Sequence, residues 1–227
     1  MIKFDSATKK YGSTLALDDV SFEIGEGEFV FITGHSGAGK TTLIRLLLRE
    51  VSPTSGKVLI EGRDIKSLKS SDIPQYRRKL GVIFQDFKLL HDRTVYENVK
   101  IATEIDGRTT QEEEKKVKKA LDEVGMISKS NLFPRQLSGG EVQRTVIARV
   151  LVQEPKIILA DEPTGNLDPQ TARQIVDLLD NAAKEGVTVL MATHNADIVD
   201  ALKHRVIHLK EGKVESDKAK GKYEKND

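Results

Sequence analysis

The sequence has no cysteine and no tryptophan, and only 5% of its 227 residues are aromatic. Without cysteine the chain cannot be a small fold held together by disulfides, and it is compatible with a reducing compartment. The longest apolar runs, residues 157–160 and 187–192, are far shorter than the ~20 residues needed to span a bilayer. The first residues also lack the apolar segment of a secretion signal, so we expect a cytoplasmic protein.

An excess of charge of either sign is missing as well. Lys+Arg 36 against Asp+Glu 35 leaves a formal net charge of +1. No global electrostatic field therefore attracts nucleic acid or an anionic bilayer. We predict no nucleic-acid partner, and we expect any attachment to a membrane to come through another protein.

The length and composition fit one large globular domain, at roughly 150 residues per domain. We predict a single domain over residues 1–215 and a flexible polar tail over residues 216–227. Within the domain, residues 94–153 carry three helical patterns and no strong strand, which indicates a helical insertion. We place this insertion at residues 87–155, between core segments 1–86 and 156–215.

The rest of the chain alternates between strand and helix patterns. Residues 2–4, 15–17 and 21–24 indicate a small antiparallel sheet, and residues 29–33 are typical of a strand buried on both faces. Short apolar segments that alternate with helical patterns favour an α/β fold with a mostly parallel sheet covered on both faces. Further strands are predicted at residues 58–60, 81–84, 156–160, 187–193 and 205–209.

The strongest local signal is a glycine-rich loop between the strand at residues 29–33 and a predicted helix at residues 41–50. The loop is Gly34-His35-Ser36-Gly37-Ala38-Gly39-Lys40-Thr41, which fits the phosphate-binding pattern G-x-x-x-x-G-K-[ST]. Glycines let backbone N–H groups converge on an anion at a helix N-terminus. Lys40 adds a positive charge for the β- and γ-phosphates, and the Thr41 hydroxyl can ligate Mg²⁺.

Three more polar side chains follow predicted buried strands. Asp161 and Glu162 come after residues 157–160, and His194 comes after residues 187–193. Ligands of open α/β sheets bind at the carboxyl ends of the strands, where the glycine loop also lies. One division of roles gives Asp161 the metal and Glu162 the attacking water, although the pair alone could be a cap or a solvated turn. His194 could donate to a γ-phosphate oxygen, or it could be a helix cap or a turn residue.

Other motifs are ambiguous when taken alone. Ser138-Gly139-Gly140-Glu141 before a helical pattern is either a capping box or a second phosphate site. Gln85 could contact Mg²⁺ or be an ordinary loop residue. Tyr11 offers a flat face for a purine, but a lone tyrosine near a strand is more often a packing residue.

Together these motifs resemble the ATP-binding cassette (ABC) ATPases over residues 4–215. The order of the loop from Gly34 to Thr42, Gln85, the Leu-Ser-Gly-Gly-Glu element at 137–141, residues 157–162 and His194 carries the resemblance. It implies a P-loop NTPase fold with a mostly parallel core sheet, an N-terminal antiparallel β-subdomain and an inserted helical subdomain. It also implies an enzyme that hydrolyses ATP with Mg²⁺.

The resemblance implies a role for each residue. Lys40, Gln85, Glu162 and His194 would be catalytic, and Thr41, Gln85 and Asp161 would hold the metal. Tyr11 would stack on adenine, while Ser138 and Gly140 would face the nucleotide bound to a second copy of the chain. Two ATP molecules would then be sandwiched in a homodimer. The nucleotide-binding residues would be Tyr11, Gly34, His35, Ser36, Gly37, Ala38, Gly39, Lys40, Thr41, Thr42, Ser138 and Gly140.

A narrower resemblance is to the cell-division ATP-binding proteins of this family. It is carried by Gly-His-Ser-Gly-Ala-Gly-Lys at 34–40, by residues 84–90 and 92–99, and by Asp-Glu-Pro-Thr-Gly-Asn-Leu-Asp at 161–168. It implies a membrane partner resembling FtsX, which would contact residues 87–92, and a role in regulating cell-wall hydrolases. The alternatives are the ATPase subunit of a lipoprotein-release or macrolide-type exporter, and a nucleotide-dependent scaffold. A GTPase is disfavoured because no Asn-Lys-x-Asp motif occurs.

Overall fold

The computed structural model describes residues 1–103 and 110–223. The strands are β1 Ile2–Tyr11, β2 Thr14–Ile24, β3 Phe29–Thr33, β4 Ser55–Ile60, β5 Arg63–Asp64, β6 Leu80–Ile83, β7 Ile157–Asp161, β8 Thr188–Ala192, β9 Arg205–Lys210 and β10 Lys213–Lys218. The helices are α1 Lys40–Leu47, α2 Ile73–Arg78, α3 Val95–Lys100, α4 Thr110–Glu123, α5 Gly139–Leu151, α6 Pro169–Lys184 and α7 Ala196–Leu202. These strands form two separate sheets.

The smaller sheet has the order β2-β1-β4-β5, and its strands are antiparallel. Phe4 on β1 pairs with Phe22 on β2, and their rings stack with centroids 4.7 Å apart. The predicted antiparallel N-terminal sheet is confirmed, but β1 and β2 are longer than the sequence indicated. Their outer positions are exposed and polar, so the apolar pattern covers only part of each strand.

The larger sheet has the order β10-β9-β3-β8-β7-β6. Strands β9, β3, β8, β7 and β6 are mutually parallel, and β10 joins the edge antiparallel to β9. The prediction of a mostly parallel sheet is therefore confirmed. The carboxyl ends of β3, β7 and β8 meet at one edge, which brings together the loop after β3 and the residues after β7 and β8.

Successive residues of the central strands face two different apolar layers. Phe31 packs in the layer that contains the helical insertion and α6, whereas Ile32 packs in the layer with α1 and the small sheet. Ile158 and Leu159 on β7 divide in the same way. Because side chains alternate along a strand, a strand apolar at every position is buried on both faces.

Three helices, α3, α4 and α5, lie between β6 and β7, in the range predicted for the helical insertion. Val95, Val117 and Val146, one from each helix, are buried in the same apolar cluster as β3 and β7. The sequence analysis missed α2, and residues 104–109 of the predicted insertion lie outside the described residues. Within residues 1–103 and 110–223, no helix combines the length and apolarity that crossing a membrane requires.

The predicted flexible tail from residue 216 is wrong at its start. Strand β10 extends to Lys218, and Arg205 makes an ion pair with Asp217 at 2.6 Å. The chain then returns along the sheet, where Gly221 is buried and Tyr223 is half-buried. The polar composition hid this strand, because an edge strand exposes most of its side chains. Residues 224–227 of the predicted tail lie outside the described residues.

Candidate active site

A cleft of about 620 Å³ opens at the carboxyl ends of the parallel strands. It brings the glycine loop together with the side chains that follow β6, β7 and β8. The residues that line it are Ala16, His35, Ser36, Gly37, Gly39, Lys40, Thr41, Thr42, Gln85, Asp161, Glu162, His194 and Tyr223. Most of the residues predicted for a nucleotide site thus share one cavity within a single chain.

The glycine loop lies directly against the backbone of its neighbours. Gly34 has φ 140°, and a Cβ there would lie 2.3 Å from the carbonyl oxygen of Leu209 on β9. Gly39 has φ 107°, and a Cβ there would lie 2.8 Å from the carbonyl oxygen of Ala16. Both the close approach and the positive φ require glycine. The loop is therefore fixed at both ends while its middle faces the cleft.

Lys40 begins α1 and turns its ammonium group back over the loop. Its Nζ donates to the carbonyl oxygens of Gly34 at 2.6 Å and His35 at 3.1 Å, and the residue is buried. A buried ammonium without an anionic partner is costly unless its hydrogen bonds are made. The loop carbonyls hold the ammonium group at the N-terminus of α1, where a phosphate would bind.

Asp161 is the last residue of β7, and it faces Thr41 on α1. Burial raises the pKa of the Asp161 carboxyl, and a hydrogen bond with the Thr41 side chain acts in the opposite direction. Gln85, just after β6, lines the same cleft. Carboxylate, hydroxyl and amide oxygens are the hard ligands that Mg²⁺ prefers. The side chains of Thr41, Gln85 and Asp161 therefore offer a set of donor atoms that fits Mg²⁺.

Glu162 and His194 form a hydrogen-bonded pair that also lines the cleft. The His194 Nδ1 and Glu162 Oε1 atoms are 2.8 Å apart, and the Glu162 side chain is only 15% exposed. Glu162 adopts φ 50°, and its backbone N–H donates to the carbonyl of Ala192 at 2.9 Å. The Glu162 carboxylate contacts His194, which follows β8, whereas the Asp161 carboxylate forms a hydrogen bond with Thr41. The two carboxylates therefore occupy different positions.

His194 is not a helix cap. Asn195 caps α7 instead, because its side chain accepts the N–H of Ile198 at 3.2 Å. Tyr11 ends β1, is 37% exposed and does not line the cleft. Lys9 Nζ lies 4.9 Å and Arg45 Cζ 5.9 Å from its ring centroid. The adenine-stacking role of Tyr11 stays a prediction.

The Ser138 motif does form a capping box at the start of α5. Ser138 Oγ accepts the N–H of Glu141, and Glu141 accepts the N–H of Ser138 at 2.9 Å. An ion pair with Lys129, helped by Ser138, lowers the pKa of Glu141. Ser138 is exposed and does not line the cleft of its own chain. Gly140 is buried, and a Cβ there would lie 2.3 Å from Thr171 Cγ2. Contact with a second copy's nucleotide stays a prediction for both residues.

The sequence analysis missed three residues of the site region: Ala16, Gln143 and Tyr223. Gln143 on α5 is fully buried, and its Nε2 donates to the carbonyl oxygen of Pro163 at 2.7 Å. The sequence did contain a signal that Gln143 is buried. Gln143 precedes the apolar Val146, Ile147 and Val150 by three, four and seven positions, and this spacing places all four on one helix face. Nothing in the local sequence brings Tyr223 to the cleft.

A family model described as ABC transporter matches residues 17–165. The chain is also 47% identical to the Cell division ATP-binding protein FtsE of Mycobacterium tuberculosis, over 98% of each chain. The chain belongs to the ABC transporter family. This membership confirms the predicted family and enzyme class, an ATPase. The FtsE similarity confirms the narrower resemblance to cell-division ATP-binding proteins.

Two solved structures of an ABC cassette also resemble this chain. One is described as the dimeric structure of MJ0796, a bacterial ABC transporter cassette. It is 36% identical with a TM-score of 0.87, over 98% of this chain and 100% of that chain. The other is a dimeric post-hydrolysis state of MJ0796 bound to ADP and Pi, 35% identical with a TM-score of 0.86 over the same shares. These neighbours confirm the ABC ATPase fold class.

Proposed function

We propose that the chain is the Mg-ATP-hydrolysing subunit of an ABC-type complex that acts in bacterial cell division. One observation supports the chemistry most strongly. A single cleft collects the glycine loop, Lys40, the Thr41–Asp161 pair and the Glu162–His194 pair. It provides groups for a phosphate chain, for a metal and for an attacking water at separate positions.

Each residue has a distinct role in this proposal. The loop N–H groups and Lys40 bind the β- and γ-phosphates, with Lys40 exchanging the loop carbonyls for phosphate oxygens. Thr41, Asp161 and Gln85 hold Mg²⁺, which neutralises developing charge on the phosphates when bound. Glu162 orients and deprotonates the attacking water, and His194 holds the terminal phosphate. Tyr11 stacks on the adenine.

The active form in this proposal is a dimer with two ATP molecules between the subunits. Ser138 and the start of α5 from one subunit face the phosphates bound by the loop of its partner. The exposure of Ser138 in the single chain supports this arrangement. The dimeric MJ0796 cassettes give it a precedent. A two-fold interface repeats each contact, so both nucleotide sites close at the same time. Hydrolysis then removes the triphosphate that joins the two subunits.

Glu162→Gln tests the chemistry. The amide keeps the size and a hydrogen-bonding oxygen but cannot take a proton, so we expect turnover to fall by about 10²-fold or more. ATP binding should persist, and gel filtration with Mg-ATP should show a stable dimer. Lys40→Ala should lose productive nucleotide binding. A Glu162→Gln protein that hydrolyses ATP at the original rate, or remains monomeric with ATP, would contradict the proposal.

Ser138→Asp tests the dimer contact separately from folding. Aspartate is as good an N-cap as serine, so α5 should stay intact, but its charge would face the partner's phosphates. We expect ATP binding without dimerisation in the Glu162→Gln background. The matched control is Thr94→Asp, which changes the N-cap of the other capping box, on α3. If both variants dimerise equally, the Ser138 contact is wrong.

We further propose a membrane partner resembling FtsX, which places the chain on the cytoplasmic face of the membrane as a peripheral subunit. Residues 87–92 would contact this partner and pass dimer closure to it, so that the complex regulates cell-wall hydrolases. The exposed Leu90 in this segment supports a contact there. Co-purification from membranes tests the proposal. Recovery with an exporter permease instead of an FtsX-like protein would favour the lipoprotein-release or macrolide-type alternative.

A further inference from the structure

The C-terminal segment returns to the nucleotide cleft after β10. The Gly221 N–H donates to the carbonyl oxygen of His204 at 3.1 Å. Two residues later, the Tyr223 N–H donates to Asp200 Oδ1 on α7 at 2.7 Å. These two hydrogen bonds hold the segment along α7, the helix that begins next to His194.

Gly221 allows this path because the segment lies directly on β9. A Cβ at this position would lie 2.6 Å from both Cβ and Cγ2 of Val206. A β-branched valine cannot rotate away easily, so any larger residue would lift the segment from the sheet. The close approach indicates that the segment has a defined position.

Tyr223 ends this path in the active-site cleft. It lines the cavity that also contains Glu162 and His194, and it packs against the apolar cluster of the helical layer. Burial raises the pKa of the Tyr223 hydroxyl, and the negative charge of Glu162 adds to this effect. The ring therefore lies within electrostatic range of the carboxylate proposed to activate water.

We propose that Tyr223 is a specificity-determining residue that occupies the Glu162–His194 end of the cleft and selectively opposes binding of a nucleoside triphosphate. This inference rests on the proposed function, in which Glu162 and His194 meet the terminal phosphate. A diphosphate needs only the glycine loop and Lys40, and it leaves the Tyr223 end of the cleft undisturbed. In this proposal a triphosphate reaches Glu162 and His194 and competes with the Tyr223 ring for that end of the cleft.

The segment is held weakly enough to be displaced. Tyr223 is held at the cleft by the hydrogen bond from its N–H to the Asp200 carboxylate and by its half-buried ring, and the neighbouring Lys222 is exposed. Local openings of such segments lie at the low end of the stability range in a protein. The expected effect is therefore a modest shift in the ratio of triphosphate to diphosphate affinity.

Equilibrium binding of Mg-AMP-PNP and Mg-ADP to Tyr223→Ala tests this inference. All proteins carry Ser138→Asp, so that dimerisation does not contribute to the affinities. We expect Tyr223→Ala to bind AMP-PNP about 5-fold more tightly while its ADP affinity is unchanged. Asp200→Ala, which releases the segment but keeps the ring, should shift the ratio in the same direction. Lys222→Ala is the matched control and should shift neither affinity.

The outcomes separate this inference from the proposed function. If the parent protein binds neither nucleotide, the proposed function fails. If it binds both, but Tyr223→Ala leaves the ratio unchanged, weakens AMP-PNP or changes both affinities equally, the specificity role of Tyr223 is wrong. Thermal unfolding of each variant checks the fold, and a general loss of structure would lower both affinities rather than their ratio.

Discussion

The side-chain amide of Gln143 donates a hydrogen bond to the carbonyl oxygen of Pro163 at 2.7 Å. This contact joins α5, the helix that Ser138 caps, to the residue directly after Glu162. Gln143 is fully buried, and its Oε1 finds no hydrogen-bond partner within the described chain. Burying a half-satisfied amide costs free energy that an apolar side chain avoids. Because the amide is retained at this cost, we expect its hydrogen bond to restrain the Pro163 backbone, directly after Glu162.

Gln143→Leu should separate this positioning role from stability. Leucine fills a similar volume and removes the unpaired oxygen, so we expect the Tm to change little. Without the hydrogen bond the turn at Pro163 is less constrained, and we expect kcat to fall about 10-fold with a nearly unchanged KM for ATP. The control is Gln153→Leu, which removes an amide contact to Ala102 just after the C-terminal end of α5. Equal kcat values for both variants would contradict the role of Gln143.

Gly34→Ala and Gly37→Ala should differ sharply. Both glycines have positive φ, but only Gly34 would place a Cβ against backbone, whereas a Cβ at Gly37 meets no atom within 4 Å. We expect Gly34→Ala to lower the free energy of unfolding by about 3 kcal/mol or more, and Gly37→Ala by about 1 kcal/mol. Denaturant unfolding measures both values. Similar losses would mean that the loop shifts freely away from Leu209.

Asp161→Asn should stabilise the nucleotide-free protein. Burial raises the pKa of Asp161. At neutral pH the carboxylate is therefore partly buried in the folded chain but fully hydrated in the unfolded chain, which lowers the free energy of unfolding. The amide removes this cost, and we expect the Tm to rise by about 2 °C. The gain should vanish in acid below pH 3.8, the ordinary value, where the carboxyl is neutral in both states. Asp122→Asn, at an exposed position, is the control.

The same Asp161→Asn variant should lose Mg²⁺-dependent hydrolysis, because an amide oxygen is a weaker metal ligand than a carboxylate. Stability and activity would then change in opposite directions, as at other sites built for a charged ligand. Calorimetry without nucleotide and a phosphate-release assay measure the two effects. A lower Tm together with full activity would contradict the assignment.

Leu90→Glu should disrupt contact with the membrane partner and spare basal hydrolysis. Leu90 is 40% exposed, while its backbone is fixed by two hydrogen bonds with the buried Asn98. We expect turnover of the isolated protein within about 2-fold of the original. Co-purification should fall about 10-fold or more, since an unpaired charge buried at an interface weakens binding and a loss of about 1.4 kcal/mol is tenfold. Ile127→Glu, at 42% exposure in the helical insertion, is the matched control. Parallel loss of hydrolysis would place Leu90 in the core.

Phe87 was expected from the sequence to be a second contact residue of this kind. In the structure Phe87 is half-buried, because it packs against the apolar cluster of the helical layer. Arg149 also donates to the carbonyl oxygens of Phe87 and Lys88, at 3.2 and 2.8 Å. A charged substitution at Phe87 is therefore expected to lower stability as well as partner binding, which makes Leu90 the cleaner test.

The sequence by itself determined the fold class and most of the candidate site. Continuous apolar strands such as residues 29–33 can be stable only when buried on both faces, and glycine and proline mark the ends of the elements. The glycine loop, Asp161, Glu162 and His194 all follow such strands, and parallel strands bring their carboxyl ends to one edge. Local chemistry was therefore enough to place these residues in one cleft.

Where the sequence has no periodic hydrophobic pattern, only the tertiary structure decided which residues are in contact. Tyr223 lies in a polar segment whose position depends on the fit of Gly221 against Val206, and Gln143 acts through Pro163, twenty positions along the chain. The left-handed backbone of Glu162 is likewise fixed by its N–H bond to Ala192 on a neighbouring strand. Such contacts depend on how distant segments pack, and neither composition nor spacing records that information.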